Sequence, residues 1–189
     1  MSRLAPTILL LALAAASVAP RFSRAQAAPA AELPVDPVTQ RITFSAVVPV
    51  PGATQAQLYA RAVAWATNEA STAGPDFSIN DLAQGTVLLR GAVRSYALSS
   101  PVNSRVLYAL TIYVKPERYK YVLTNLRHEG VAEGTTTGET QGPLEQKEVR
   151  GFAKGFWRKY KQDIGALIQE SLAQLQTAMT TDRKDPSDF

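Results

Sequence analysis

Two neighbouring segments with strand character, joined by a short turn, constrain the fold of this chain most. Residues 106–114 are dense in β-branched and aromatic side chains, which fit a pleated sheet well. Lys115, Pro116 and Glu117 form a turn, and residues 118–126 run back with similar character. Because so short a connection joins antiparallel neighbours, the sequence predicts a β-hairpin within an antiparallel sheet.

Other periodic segments complete the predicted fold. Residues 42–50 and 86–98 alternate apolar and polar side chains, as strands with one buried face do. Between them, Thr54 and Gln57 have the spacing of a capping box at a helix start. Apolar residues at helical spacing predict a long C-terminal helix. The fold class is therefore α+β, with about four mostly antiparallel strands in the order β-α-β-β-β-α and helices covering the apolar side. A short edge strand at residues 77–79 also fits the pattern.

The chain is predicted to fall into six segments. They are a signal peptide at residues 1–27, an extended lead-in at 28–40, an α+β domain at 41–128, a Gly/Thr-rich linker at 129–148, a C-terminal helix at 149–181 and a polar tail at 182–189. Glycine recurs every four residues between Gly130 and Gly142 among Thr and Glu, a composition that buries little apolar surface. We therefore expect a mobile linker there, with a functional lid as the alternative.

The first 27 residues have the pattern of an export signal. Arg3 precedes an apolar run at residues 8–18, and Ala25 and Ala27 provide the small-x-small site that signal peptidase recognises, so cleavage is expected before Ala28. As a helix the run is about 16 Å long, against ~30 Å for the hydrocarbon core of a bilayer. The mature protein is therefore predicted to be secreted or periplasmic, without a transmembrane segment.

Charge and cysteine content narrow the function. The chain has a net charge of +4, but the leader holds three arginines and no acid, which leaves 17 basic against 16 acidic residues in the mature chain. A basic balance typical of nucleic-acid binding is therefore missing, and no nucleic-acid partner is expected. The absence of cysteine excludes thiol chemistry and disulfides, so the predicted exported domain depends on its core for stability.

Scattered positions along residues 33–128 resemble one known family. The matching segments are Leu33 to Asp36, Ile42 to Phe44, Val47 to Gly52, Gln57 to Ala62 with Trp65, Val87 to Gly91, Leu110 to Lys115, Arg118 to Tyr121 and Asn125 to His128. The chain resembles the exported bacterial domain of unknown function with a TATA-box-binding-protein-like fold, which is typical of envelope proteins of the Bacteroidota. The resemblance implies a curved sheet with helices, and it implies no activity, because the family has none assigned.

Residues that could support catalysis are few. His128 is the one histidine, no Gly-x-Ser-x-Gly motif presents a serine, and we expect His128 to lie at the surface. One histidine without cysteine makes a transition-metal site improbable, and no phosphate loop is present. No catalytic residue, metal or cofactor is therefore predicted.

Two groups of residues are candidates for binding. Tyr119 and Tyr121 share one face of a strand beside Arg118, so they would stack on a ligand if that face is exposed and form core if it is buried. A second group of cations falls along one face of the long helix and would contact an anionic surface, beside the aromatic residues Phe156, Trp157 and Tyr160. These cations are Arg150, Lys154, Arg158 and Lys161.

Together these features predict an exported, non-enzymatic binding or structural module of the bacterial cell envelope. Its partner would be an envelope component or an anionic surface, and the protein would be a monomer or weak oligomer. Two alternatives stay open. One is a carrier of a small apolar ligand, in which the long helix grips the sheet over a cavity. The other is a hydrolase whose residues converge only in the folded chain.

Overall fold

A computed structural model describes residues 33–73, 77–81, 83–94, 105–131, 139–149 and 154–181. Its elements are β1 (Phe44–Pro49), α1 (Gln55–Ala73), β2 (Phe77–Asp81), β3 (Thr86–Arg94), β4 (Arg105–Lys115), β5 (Arg118–Val131), β6 (Glu139–Pro143) and α2 (Lys154–Thr180). The predicted signal peptide, its cleavage point, the start of the lead-in and the polar tail lie outside these residues. The α+β class and the long C-terminal helix are confirmed.

The strands form one antiparallel sheet in the order β1-β5-β4-β3-β2. The predicted hairpin is β4 and β5, closed by the pair Lys115 and Arg118. β4 occupies one edge of β5 along most of its length, so the other edge is shared: β1 pairs with residues 118–123 and β6 with residues 127–131. The hairpin therefore holds together both ends of the domain.

Both helices pack on the same face of the sheet. α1 begins with the predicted capping box, in which the Thr54 N–H donates to Gln57 Oε1 at 2.9 Å and the Gln57 N–H donates to Thr54 Oγ1 at 3.2 Å. α2 is joined to α1 where Ser171 Oγ donates to Glu69 Oε1 and where Arg61 Nη1 donates to the Met179 carbonyl at 2.9 Å. One contiguous set of buried apolar side chains fills the space between the helices and the sheet. None of the described helices is both long and apolar enough to cross a bilayer.

The sheet has more strands than the sequence predicted. The pairing includes the edge strand β2 and the additional strand β6, which lies inside the predicted linker. The linker prediction is wrong for residues 129–131, which belong to β5, and for residues 139–143. The ordering of residues 139–143 comes from backbone hydrogen bonds to β5, which do not require an apolar sequence. Leu144 follows β6, is fully buried, and its N–H donates to the Leu126 carbonyl at 2.9 Å.

The lead-in is not simply extended over its described residues. Val35 pairs with Ile42, and between them Asp36 Oδ1 accepts hydrogen bonds from the N–H groups of Val38 and Thr39. These hydrogen bonds, led by that from the Thr39 backbone, lower the pKa of Asp36. Asp36 therefore stabilises a turn that folds the lead-in back beside the sheet.

A bulge in β5 changes which residues face the helices. Asn125 adopts a left-handed backbone conformation (φ 59°), and β5 gains one residue relative to β4 between Thr124 and Arg127. Before the bulge the odd-numbered residues of β5 face the helices, with Tyr119 and Leu123 buried and Tyr121 half-buried; after it Leu126 and His128 are buried. Arg127 therefore points to the side of the sheet that carries no described helix.

Candidate functional site

The two faces of the sheet differ in what covers them. On one face, the side chains of alternate residues contact the helices and are buried, as with Leu89, Leu110 and Leu123 on the three central strands. On the other face, which we call the open face, lie the residues between them, and no described helix packs there. Because this arrangement follows the strand alternation, the open face is defined by the fold itself.

The open face is strongly cationic. Each of its seven cations is exposed. They are Arg90, Arg94, Arg105, Lys115, Arg118, Lys120 and Arg127. Glu129 is the acid on this face with a described side chain, and it is paired with Arg105 at 3.0 Å. The cations of this one surface therefore far exceed the described acids beside them.

Two like-charged pairs stand directly opposite each other on neighbouring strands. Lys115 faces Arg118 at the closed end of the hairpin, and Arg94 faces Arg105 at the far end of the sheet. Like charges directly opposite in a sheet destabilise it by a few tenths to about 1 kcal/mol each. The charge pattern of the open face therefore opposes stability, although Glu129 offsets part of the effect at Arg105.

A depression of about 460 Å³ lies near the closed end of the hairpin. Val47, Lys120 and Tyr113 stand side by side on β1, β5 and β4, and the side chains of Val47 and Tyr113 are 61% and 44% exposed. We call this site the basic depression. Its lining consists of Val47, Tyr113, Lys115, Arg118, Tyr119, Lys120 and Val122.

Of the predicted ligand-binding residues, only Arg118 is exposed at this site. Tyr119 borders the basic depression, but its side chain is 1% exposed, and Tyr121 is half-buried against the core. Burial raises the pKa of both hydroxyls. The tyrosine pair therefore belongs to the core, which was one of the two predicted outcomes. The aromatic residue available to a ligand is Tyr113, and the strand alternation that separates it from Tyr108 is the signal that finds it.

The predicted cationic face of the long helix is only partly described. Arg150 and the side chain of Lys154 lie outside the described residues. Arg158 is exposed, and Lys161 Nζ lies 5.8 Å from the centroid of the Trp157 ring. Trp157 and Tyr160 are buried and stacked at 5.5 Å, so these two aromatic residues are core and not an interfacial strip.

His128 is buried and does not lie at the surface, which corrects the sequence prediction. Its Nδ1 lies 3.0 Å from the Gly142 carbonyl, and Trp157 packs edge-on at 5.0 Å. The cause is the covering of this end of β5 by β6 and α2, which the linker prediction missed. Burial lowers the pKa of His128. Its Nε2 has no hydrogen-bond partner in the described structure, so the ring acts here as a packing group.

Part of this chain is similar to a known protein family. Residues 44–129 match the model of a family described as a domain of unknown function, DUF4468, with a TBP-like fold. Over these residues the chain is similar to the DUF4468 family. The matched residues begin with the first residue of β1 and end at Glu129, two residues after Arg127 of the open face.

Two solved structures share this fold. A TBP-like protein from Parabacteroides distasonis is 11% identical, with a TM-score of 0.60 over 76% of this chain and 95% of its own. A DUF4468 family protein from Bacteroides ovatus is 20% identical, with a TM-score of 0.55 over 80% of this chain and 94% of its own. At these identities the likeness concerns the fold alone. No curated protein matches the chain.

Proposed function

We propose that this protein is an exported, non-enzymatic binding module of the cell envelope, and that the open face of its sheet binds an anionic partner. The observation that carries the proposal is the charge of that face, where seven exposed cations stand beside Glu129, with Glu117 in the adjoining hairpin turn as a second described acid. The predicted mature chain is nearly neutral overall, so the concentration of cations on one face is local. A local field of this kind attracts and orients an oppositely charged partner.

The two other functions have less support. A carrier of an apolar ligand needs an apolar cavity between the long helix and the sheet. The contiguous buried cluster fills most of that space, and the depression of about 710 Å³ beside the start of α2 is lined in part by charged residues such as Glu145, Lys147 and Arg158. A hydrolase needs convergent reactive groups, and His128 Nδ1 instead donates to the Gly142 backbone carbonyl inside the core. The N-terminal signal pattern supports export, because the apolar run is short and a cleavage site follows it.

Binding is tested with isotope-labelled protein of residues 28–189 and sulfated dextran as a generic polyanion. We expect NMR shift changes concentrated on the open-face residues of β3, β4 and β5, decreasing as salt rises because surface charge is screened. The variant Lys120→Glu should reduce them, whereas Arg158→Glu, on α2, should not. Changes confined to α2, or none on the sheet, would contradict the proposed binding surface.

Export is tested separately by expressing the full chain in a bacterial host with its own leader. We expect an extracytoplasmic product whose intact mass and N-terminal sequence begin at Ala28. Uncut chain recovered from the cytoplasm would contradict this part of the proposal, and it would leave the binding measurement unaffected.

A further inference from the structure

We infer that the basic depression binds an acidic segment of another protein through a central apolar side chain and flanking carboxylates. This inference rests on the proposed function and names the chemical class of its partner. It is carried by the lining of the depression, in which two exposed apolar residues stand on either side of a cation.

The geometry suits one apolar side chain. Val47 and Tyr113 lie on the strands flanking Lys120, so their backbones are separated by two strand spacings, about 10 Å. The aliphatic stem of Lys120 lies between them and adds apolar surface below its charged end. An aromatic or large aliphatic side chain therefore finds apolar contacts on both sides.

The polar groups of the lining select carboxylates. Lys115, Arg118 and Lys120 only donate hydrogen bonds, and none of them forms an ion pair with a described acid. Carboxylates only accept, and arginine can hold them with two parallel hydrogen bonds. Acidic residues beside the apolar anchor therefore match the three cations in both charge and hydrogen-bonding character.

The same lining disfavours other classes of partner. Sugar hydroxyls must donate as well as accept, and the described side chains offer few acceptors apart from the Tyr113 hydroxyl. A bilayer is flat, whereas Val47 and Tyr113 flank a depression in a sheet whose strands twist. A second copy would bring one cationic face against another. An acidic peptide with one apolar anchor satisfies each of these constraints.

The test measures fluorescence anisotropy of three short labelled peptides with residues 28–189 of the protein. One peptide is acidic with a central phenylalanine, one is acidic with a central glycine, and one carries lysines in place of the acids. We expect the phenylalanine peptide to bind about tenfold more tightly than the glycine peptide, and the lysine peptide not to bind. Lys120→Glu should weaken binding of the phenylalanine peptide at least tenfold, and Arg158→Glu should leave it unchanged.

Tyr113→Ala separates the apolar anchor from simple charge attraction. It should remove most of the preference for phenylalanine over glycine while leaving the weaker acidic binding in place. If this variant keeps the preference, or if Arg158→Glu removes binding, the basic depression is not the peptide site and the inference is wrong.

Other probes distinguish this inference from the proposed function. If the peptides do not bind but sulfated dextran, anionic vesicles or DNA still perturb the open face, the inference is overturned and an anion-binding face remains. If none of these probes perturbs the open face, the inference and the proposed function both fail.

Discussion

At the scale of single residues, a close contact in the core explains a glycine that the strand pattern alone does not require. Tyr108 is buried on β4, and its ring lies across Gly91, its partner on β3. The hydroxyl of Tyr108 reaches Glu69 Oε1 at 3.5 Å, and burial raises its pKa. The ring thereby joins the sheet to α1, and this arrangement depends on the absence of a β-carbon at residue 91.

We therefore predict that Gly91→Ala destabilises the protein by about 1–3 kcal/mol, because the new methyl group would overlap the Tyr108 ring. The matched control is Gly155→Ala in the first turn of α2, where a β-carbon would meet no atom of the described residues within 4 Å beyond its chain neighbours and its own helix backbone. That variant should be stabilised by up to about 1 kcal/mol through helix propensity. Urea unfolding measures both free energies. Equal effects of the two substitutions would contradict the packing described for Tyr108.

His128 makes stability depend on pH. Burial lowers its pKa in the folded protein below the ordinary value of 6.5, so the unfolded chain binds the proton more readily. The contribution of neutral His128 to the free energy of unfolding is complete above about pH 6.5. It is lost as the pH falls, by up to about 1.4 kcal/mol per pH unit. Unfolding free energies at pH 7.5 and 5.5 should show this loss. His128→Gln should reduce the slope between those pH values, and an unchanged slope would exclude His128 as its source.

At the scale of elements, the sequence predicted features that depend on neighbouring residues better than features that depend on long-range pairing. The hairpin and the capping box of α1 depend on neighbouring residues, and both appear as the sequence indicated. β6 forms by pairing with β5. The residues of β6 are mostly polar, so the sequence shows no apolar periodicity there. The bulge at Asn125 depends on a backbone conformation and decides which way Arg127 points. For the same reason, the full set of cations on the open face could not be listed from strand alternation alone.

β6 is predicted to be a stable part of the domain because Leu144 fixes its end in the core. Leu144→Ala should lower the free energy of unfolding by about 2–5 kcal/mol, the range for leucine truncation at buried sites. Val38→Ala is the control, since Val38 is 87% exposed and its truncation should change stability by less than about 0.5 kcal/mol. A Leu144→Ala effect as small as the control would show that residues 139–144 are not docked on β5.

At the scale of the whole molecule, the sheet has one face under helices and the other open, and the proposed function depends on this difference. The sequence predicted helices on the apolar side, and the structure places both helices there. The sequence analysis predicted a cationic face on the long helix, whereas in the structure a larger group of cations lies on one face of three strands. Residues distant in the chain converge on one face only after strand order and register are known, which is why the site was found from the fold.

The most direct test of this account is tyrosine nitration of the free protein, mapped by mass spectrometry. Nitration requires solvent access and is favoured for the phenolate, so burial and a raised pKa both suppress it. The account predicts that Tyr113, on the open face, reacts readily, whereas Tyr108 and Tyr119, whose pKa values are raised by burial under the helices, react only after unfolding. Nitration of Tyr119 as fast as Tyr113 in the folded protein, or protection of Tyr113, would contradict it.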